Sequence, residues 1–206
     1  VVVTSSISLV VVLTVGGWLL VQQVAAGVWE GKKQSSLAEA SVALSTLQQQ
    51  LRAGDDMAGL NERLTQIAQD AASRGSVGDQ YLILVQGPVS DIVSTGLDPQ
   101  SVPQSLRDDV GEDGLWVSPT EVRYTDGRAA APALAIAGTL TASTGEMYPV
   151  YFVFPMTQEV QTLQVVRNAV FTVGAVIMIA LGAFIYVQVR RILAPVRAAR
   201  MAAEKI

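Results

Sequence analysis

Ala169-Val-Phe-Thr-Val-Gly-Ala-Val-Ile-Met-Ile-Ala-Leu-Gly-Ala-Phe-Ile-Tyr-Val-Gln-Val189 contains no Asp, Glu, Lys or Arg and runs directly into Arg190-Arg191-Ile-Leu-Ala-Pro195-Val196. At about 1.5 Å per residue, a helix of that length reaches roughly 30 Å, the thickness of a bilayer's hydrocarbon core. A second uncharged run, Val1 to Val24, opens the chain. The pair predicts a two-span membrane protein with a polar domain between the spans. The layout is that of a receptor, not of a soluble enzyme.

Charge gives the direction. From Glu30 to Arg167 there are 17 acidic and 9 basic residues, whereas Arg190 to Ile206 holds 5 basic and 1 acidic. Basic residues beside a span mark its cytoplasmic end. Arg190, Arg191, Arg197 and Arg200 therefore place both termini in the cytoplasm and the acidic domain outside, with Lys32 and Lys33 pulling weakly the other way. The first run is read as an uncleaved anchor; Val24-Ala-Ala-Gly27 is the stretch a cleaved signal peptide would use. The chain opens on Val and stops within a predicted helix, so it is expected to be a piece of a longer protein.

Four divisions follow: 1–25 as the first span, 26–166 as the extracytoplasmic domain, 167–189 as the second span and 190–206 as a cytoplasmic linker. Within the outer domain, Leu37, Ala40, Leu44, Leu47 and Leu51 recur at heptad spacing, as do Met57, Leu60, Leu64, Ile67 and Ala71. The first seam has two readings, core packing within the subunit or a dimer seam of Leu37, Leu44 and Leu51 against a second copy. Asp55 or Asp56 is expected to cap the second helix, after Gly54 ends the first.

Tyr81 to Val85 reads as a buried strand. Ser101-Val-Pro103-Gln-Ser-Leu-Arg-Asp-Asp reads as a short helix capped by Ser101. Leu115–Tyr124, Ala131–Leu140 and Met147–Phe154 follow as strands, joined by turns at Asp126-Gly127 and Ser143-Thr-Gly145-Glu. The expected fold is α+β: an antiparallel sheet with a long N-terminal helix, tied at Pro155 to a helix running from Thr157 through the second span.

Several chemistries lack support. There is no His and no Cys, which removes imidazole catalysis, thiolate metal sites and a phosphoacceptor histidine from these residues. Asp108-Asp109-Val-Gly111-Glu112-Asp113-Gly114 fails a calcium-loop register at two positions and reads as a solvated loop. Ser118 and Thr120 lack a base to activate them. Gly174 and Gly182 are expected to aid close helix packing. No catalytic, cofactor or metal residue is assigned.

The C-terminal stretch is more specific. Ile192, Pro195, Val196, Ala199, Ala203 and Ile206 form a seam suited to a parallel bundle. Pro195 removes one backbone donor and is expected to kink the helix. This resembles the first helix of the HAMP linker. Val102-Pro-Gln-Ser-Leu-Arg107, Tyr151-Phe-Val-Phe-Pro155-Met-Thr-Gln-Glu159, Thr162-Leu-Gln-Val-Val-Arg167 and Pro195-Val-Arg197 are similar to the MtrB-type sensor histidine kinases of actinobacteria. That resemblance implies a PAS-like (Cache-type) outer domain, a homodimer, and a cytoplasmic part that carries HAMP, the phosphoacceptor and an ATP- and Mg-dependent kinase domain. It also implies an LpqB-like lipoprotein outside, an MtrA-like response regulator inside and contact with membrane lipid, and no nucleic acid. The alternatives are a HAMP-containing chemoreceptor or cyclase receptor, and a non-signalling two-span envelope scaffold.

Overall fold

The computed structural model describes residues 2–52, 59–76, 80–110 and 114–203, arranged as two compact units, Val1–Ala26 with Thr162–Ile206 and Gly27–Gln161. The second unit is the α+β domain. Helices α1 (Val2–Arg52), α2 (Leu60–Ser76), α3 (Gln104–Asp109) and α4 (Thr157–Ala203) accompany strands β1 (Leu82–Gln86), β2 (Asp91–Val93), β3 (Trp116–Val122), β4 (Ala131–Thr141) and β5 (Met147–Pro155). The five strands form one sheet in the order β2-β1-β5-β4-β3, with every pairing antiparallel. The predicted antiparallel sheet with a long N-terminal helix is what the chain forms.

Both faces of the sheet are covered, and the period of two sorts the side chains between them. Toward α1 and α2 point Ile83 and Val85 of β1, Leu134 and Ile136 of β4, and Phe152 and Phe154 of β5. They pack with Ala40, Leu47 and Leu51 of α1 and Leu64, Ile67 and Ala71 of α2. Tyr81 meets Phe152 edge-on at 5.6 Å between ring centres. On the other face Leu82, Leu84, Tyr151 and Val153 lie beside Ala133, Ala135 and Ala137 under Leu97, Val102 and Leu106. The alanines leave room for the short α3 segment to sit close.

Gly138 shows how closely α1 lies on β4. A Cβ at that position would stand 2.7 Å from Leu44 Cδ2 and 3.1 Å from Leu115 Cδ2, so a larger residue there would make the Leu44 side chain shift. Nearby, the Gln48 side chain acts as a peptide surrogate at the end of β4. Its Nε2 donates to Thr141 O at 2.7 Å and its Oε1 accepts from Thr141 N at 2.9 Å.

Two expectations are corrected. Strand β2 was not foreseen: Gly87-Pro88 reads as a terminator, yet the chain turns back, and Ser94 closes the short ladder through Ile83 N to Ser94 Oγ (2.7 Å) and Ser94 N to Ile83 O (2.8 Å). Ser101 does not cap α3. Asp98 caps a 3-10 turn at Pro99–Ser101, and Pro103 precedes α3 with no side-chain cap. The Ser101 hydroxyl, buried instead, accepts from Arg123 N at 2.8 Å and fastens the turn to the end of β3. The expected breaks and caps at Gly54, Asp55 and Asp56 lie outside the described residues.

The first unit consists of the apolar stretches of α1 and α4. Val11, Trp18, Leu19 and Leu20 on α1 and Phe171, Val176, Ile179 and Phe184 on α4 are all exposed. Apolar surface so continuous on two helices is not stable in water. Both helices are long and apolar enough to cross a membrane, and the protein is a membrane protein. Within this unit, a Cβ on Gly17 would stand 3.3 Å from Val170 Cγ1, so this glycine marks the close approach of the two helices. Gly16, Gly174 and Gly182 meet nothing within 4 Å, and the packing role foreseen for Gly174 and Gly182 does not arise within the subunit.

Candidate functional site

The residues where two helices meet the α+β domain are the candidate site, and the first of them lie where β5 passes into α4. Strand β5 ends at Pro155, and one residue later α4 begins. That residue, Met156, is 5 % exposed, and its N–H donates to Pro132 O at 2.8 Å while its carbonyl accepts from Val160 N at 3.0 Å. The last strand and the helix thus share one buried residue with no slack between them. Across from this junction Lys32 Nζ of α1 lies 2.9 Å from Glu159 Oε1 of α4, with about a fifth of each side chain exposed. Water still reaches both partners, so the attraction is partly screened and a competing anion can reach the ammonium.

Beside this pair is a cavity of about 540 Å³ lined by Lys32, Tyr124, Arg128, Gln158 and Glu159 among others. Arg128 Nε donates to Asp126 Oδ2 at 2.9 Å, and its guanidinium carbon stands 3.9 Å from the centre of the Tyr124 ring. The Arg128 N–H bonded to Asp126 Oδ1, helped by the guanidinium, holds that carboxyl below the usual range.

The α3 face holds a second polar group of note. Tyr151, fully buried on the central strand, has a hydroxyl with no hydrogen-bond partner among the described residues. Arg107 lies over its ring at 5.7 Å, donates to Pro99 O at 2.8 Å and approaches Asp91 Oδ2 at 3.7 Å. Burial raises the Tyr151 pKa, opposed by the Arg107 charge.

The residues singled out from sequence fall into separate places. Leu51 is 4 % exposed, and Leu37 and Leu44 pack against the same core. Within one subunit Leu51 belongs to the core and Leu37 and Leu44 are half-buried beside it; a dimer seam of Leu37, Leu44 and Leu51 remains a proposal. Ile192, Pro195, Val196, Ala199 and Ala203 are on α4, which runs through Pro195 as helix; their side chains, and Ile206 entirely, lie outside the described residues. Of the acidic loop, 111–113 also lie outside them. Among the described residues no group of three or more Asp or Glu side chains is arranged to hold a metal. Sequence reasoning missed the pairing of Lys32 with Glu159, since nothing local links residues so far apart. Gln48 was likewise not singled out, although its amide holds Thr141.

The fold and its two outlets define a membrane protein with an α+β domain between two apolar helices. The relatives are more specific. The chain is 29 % identical over 98 % of its length to the sensor histidine kinase MtrB of Mycolicibacterium paratuberculosis, and 27 % identical over 98 % to the proteins of that name from Mycobacterium tuberculosis and Mycobacterium leprae. The similarity read from the local motifs thus extends along the whole chain, which spans 36 % of the length of these relatives. No family model matches. Among solved structures, the periplasmic sensory domain of the Campylobacter jejuni chemoreceptor Tlp1 aligns with a TM-score of 0.41 at 11 % identity, over 65 % of this chain and 57 % of that one.

Proposed function

We propose that the chain is the signal-sensing and transmembrane part of a sensor histidine kinase, relaying an envelope signal through a HAMP linker to autophosphorylation and phosphotransfer to an MtrA-like response regulator. The observation that carries this reading is the end-to-end similarity to about a third of the length, 36 %, of proteins named sensor histidine kinase MtrB. The layout supports it: a packed α+β domain between two apolar helices, with basic residues clustered at Arg190, Arg191, Arg197 and Arg200. In this reading both termini are cytoplasmic, the domain lies outside, and 190–206 begins the HAMP bundle in a homodimer. ATP and Mg act in the kinase domain, and an LpqB-like lipoprotein is the outer partner.

The mechanism follows from the junction at Met156. With no slack between β5 and α4, a shift of the sheet displaces the helix, and a packed cytoplasmic seam answers by choosing between discrete arrangements. One inserted residue rotates everything downstream by roughly 100°, whereas seven restore the face to within about 20°. In the full-length kinase in membranes, one residue inserted between Val189 and Arg190 should change autophosphorylation strongly, and seven much less. Equal activity and equal response to stimulus in both would remove helix phase from the mechanism. Absence of any ATP-dependent phosphorylation in the full-length protein would remove the kinase reading.

A further inference from the structure

The cavity beside the Lys32–Glu159 pair is unusual in the charges that line it. Lys32 comes from α1 and Arg128 from the segment between β3 and β4, and both line the cavity. The described carboxylate lining it is Glu159. Asp126, which partners Arg128, is not among the lining residues.

The two cations are presented differently. Arg128 is fixed by Asp126 at Nε and by the Tyr124 ring at its face. A guanidinium held this way keeps its charge and presents a planar fork in a set orientation, the geometry that suits an oxyanion. Lys32 is held by one carboxylate, 2.9 Å away, in a pair still about a fifth exposed. An ammonium is a point charge on a flexible stem, so it can trade one anion for another with little rearrangement. Tyr124, Gln80 and Gln158 add polar groups to the same lining.

We propose that this cavity binds a phosphate-type oxyanion that bonds Arg128 and takes the place of Glu159 on Lys32. Glu159 then turns to solvent, and the ionic tie between α1 and α4 is exchanged for a bond from each of two elements to the ligand. Occupancy changes what holds the two outgoing helices together, at the residues where α4 leaves the sheet. The anion has two chemically equivalent sources. It is either a free phosphate ester or the phosphate of a lipid headgroup, since Lys32 follows the apolar run that ends at Val24 by about two helical turns.

The test uses the 206-residue chain in nanodiscs and reads binding, so its outcome does not depend on kinase activity. In zwitterionic nanodiscs, glycerol 3-phosphate is titrated by calorimetry. Saturable binding is expected, weakened at least tenfold by Lys32→Gln and by Arg128→Gln. Glu159→Gln should bind several-fold tighter, because the competing carboxylate is gone. A structural defect would weaken binding, so this direction separates competition from damage. Thermal unfolding then assigns the source, since a ligand that binds only the folded chain raises its stability. A gain on adding phosphatidylglycerol to the disc that Arg128→Gln abolishes assigns a lipid headgroup, and a gain with free glycerol 3-phosphate alone assigns a solute. No saturable binding and no gain from either source overturns the proposal. So does a Glu159→Gln variant that binds no tighter than the native chain.

Discussion

Helix α1 has two stretches under opposite rules. Leu20 is 59 % exposed and Val42 is 66 % exposed, so bare accessibility does not tell them apart. Around Leu20 the exposed neighbours are Val15, Trp18, Leu19 and Val24. Around Val42 they are Ser35, Ala38, Ser41, Ser45 and Gln49, while Ala40, Leu47 and Leu51 face inward. One stretch is apolar all round and the other apolar on one side. An exposed residue is informative only through its company: the first stretch is built for lipid and the second for water on one side and a sheet on the other.

That contrast can be broken most sharply by one substitution made twice. Leu20→Lys places a charge in the apolar stretch, with an expected insertion penalty of up to about 3 kcal/mol, the helix-centre value less what snorkelling recovers near the end of the span. Val42→Lys, at similar exposure, should be near neutral. Fractionation into membranes with a glycosylation reporter measures both, and equal loss would mean the two stretches share one environment. Next in size is the inward face. Leu47→Ala should cost about 3 kcal/mol, as truncated core leucines do, against less than about 0.5 kcal/mol for Val42→Ala. Denaturant unfolding of the chain in micelles separates these values.

A subtler probe tests how closely α1 lies on the sheet. Gly138→Ala should cost about 1–3 kcal/mol through the Leu44 clash, and Leu44→Ala in the same chain should recover part of it. If the double variant is no better than the sum of the singles, Leu44 is not what Gly138 accommodates.

The smallest effect is electrostatic. Tyr148 donates to Glu146 Oε2 at 2.7 Å, and chiefly for that reason, with burial and the Glu146 charge adding, its pKa is pushed up to about 12. The unfolded chain loses this proton near pH 10, and the folded one keeps it to about 12. Stability is therefore complete below about pH 10 and falls as pH rises through that window. Tyr148→Phe should flatten the decline without abolishing it, because burial also raises Tyr81 and Tyr151. An unchanged slope in unfolding experiments between pH 9 and 12 would remove the Tyr148–Glu146 bond as its source.

The candidate site was legible only in parts. Pro155 and the helical run after it announce a strand that feeds a helix, because proline closes the one and the apolar run requires the other. Lys32 and Glu159 gave no such signal. Each is an ordinary charge in its own window, and their pairing depends on how α1 crosses the sheet. Gln48 is a similar case: a glutamine among glutamines until Thr141 is set beside it. Strand β2 was hidden for a local reason, since three residues after Gly-Pro are too few to show a period.

The sequence alone determined the two apolar helices, the antiparallel strands and the resemblance to sensor kinases. These rest on periodicity, charge and turn chemistry, which are properties of neighbours along the chain. Tertiary structure alone decided which side of a seam is core. Leu37, Leu44 and Leu51 repeat as well for a partner helix as for a sheet, because a heptad records that a face is apolar and not what covers it. Within the subunit the sheet covers Leu51 fully and Leu37 and Leu44 in part. The same is true of Tyr151, whose alternation predicted only that it lies on one face. That its ring lies under Arg107 and its hydroxyl is buried with no hydrogen-bond partner among the described residues follows from long-range packing.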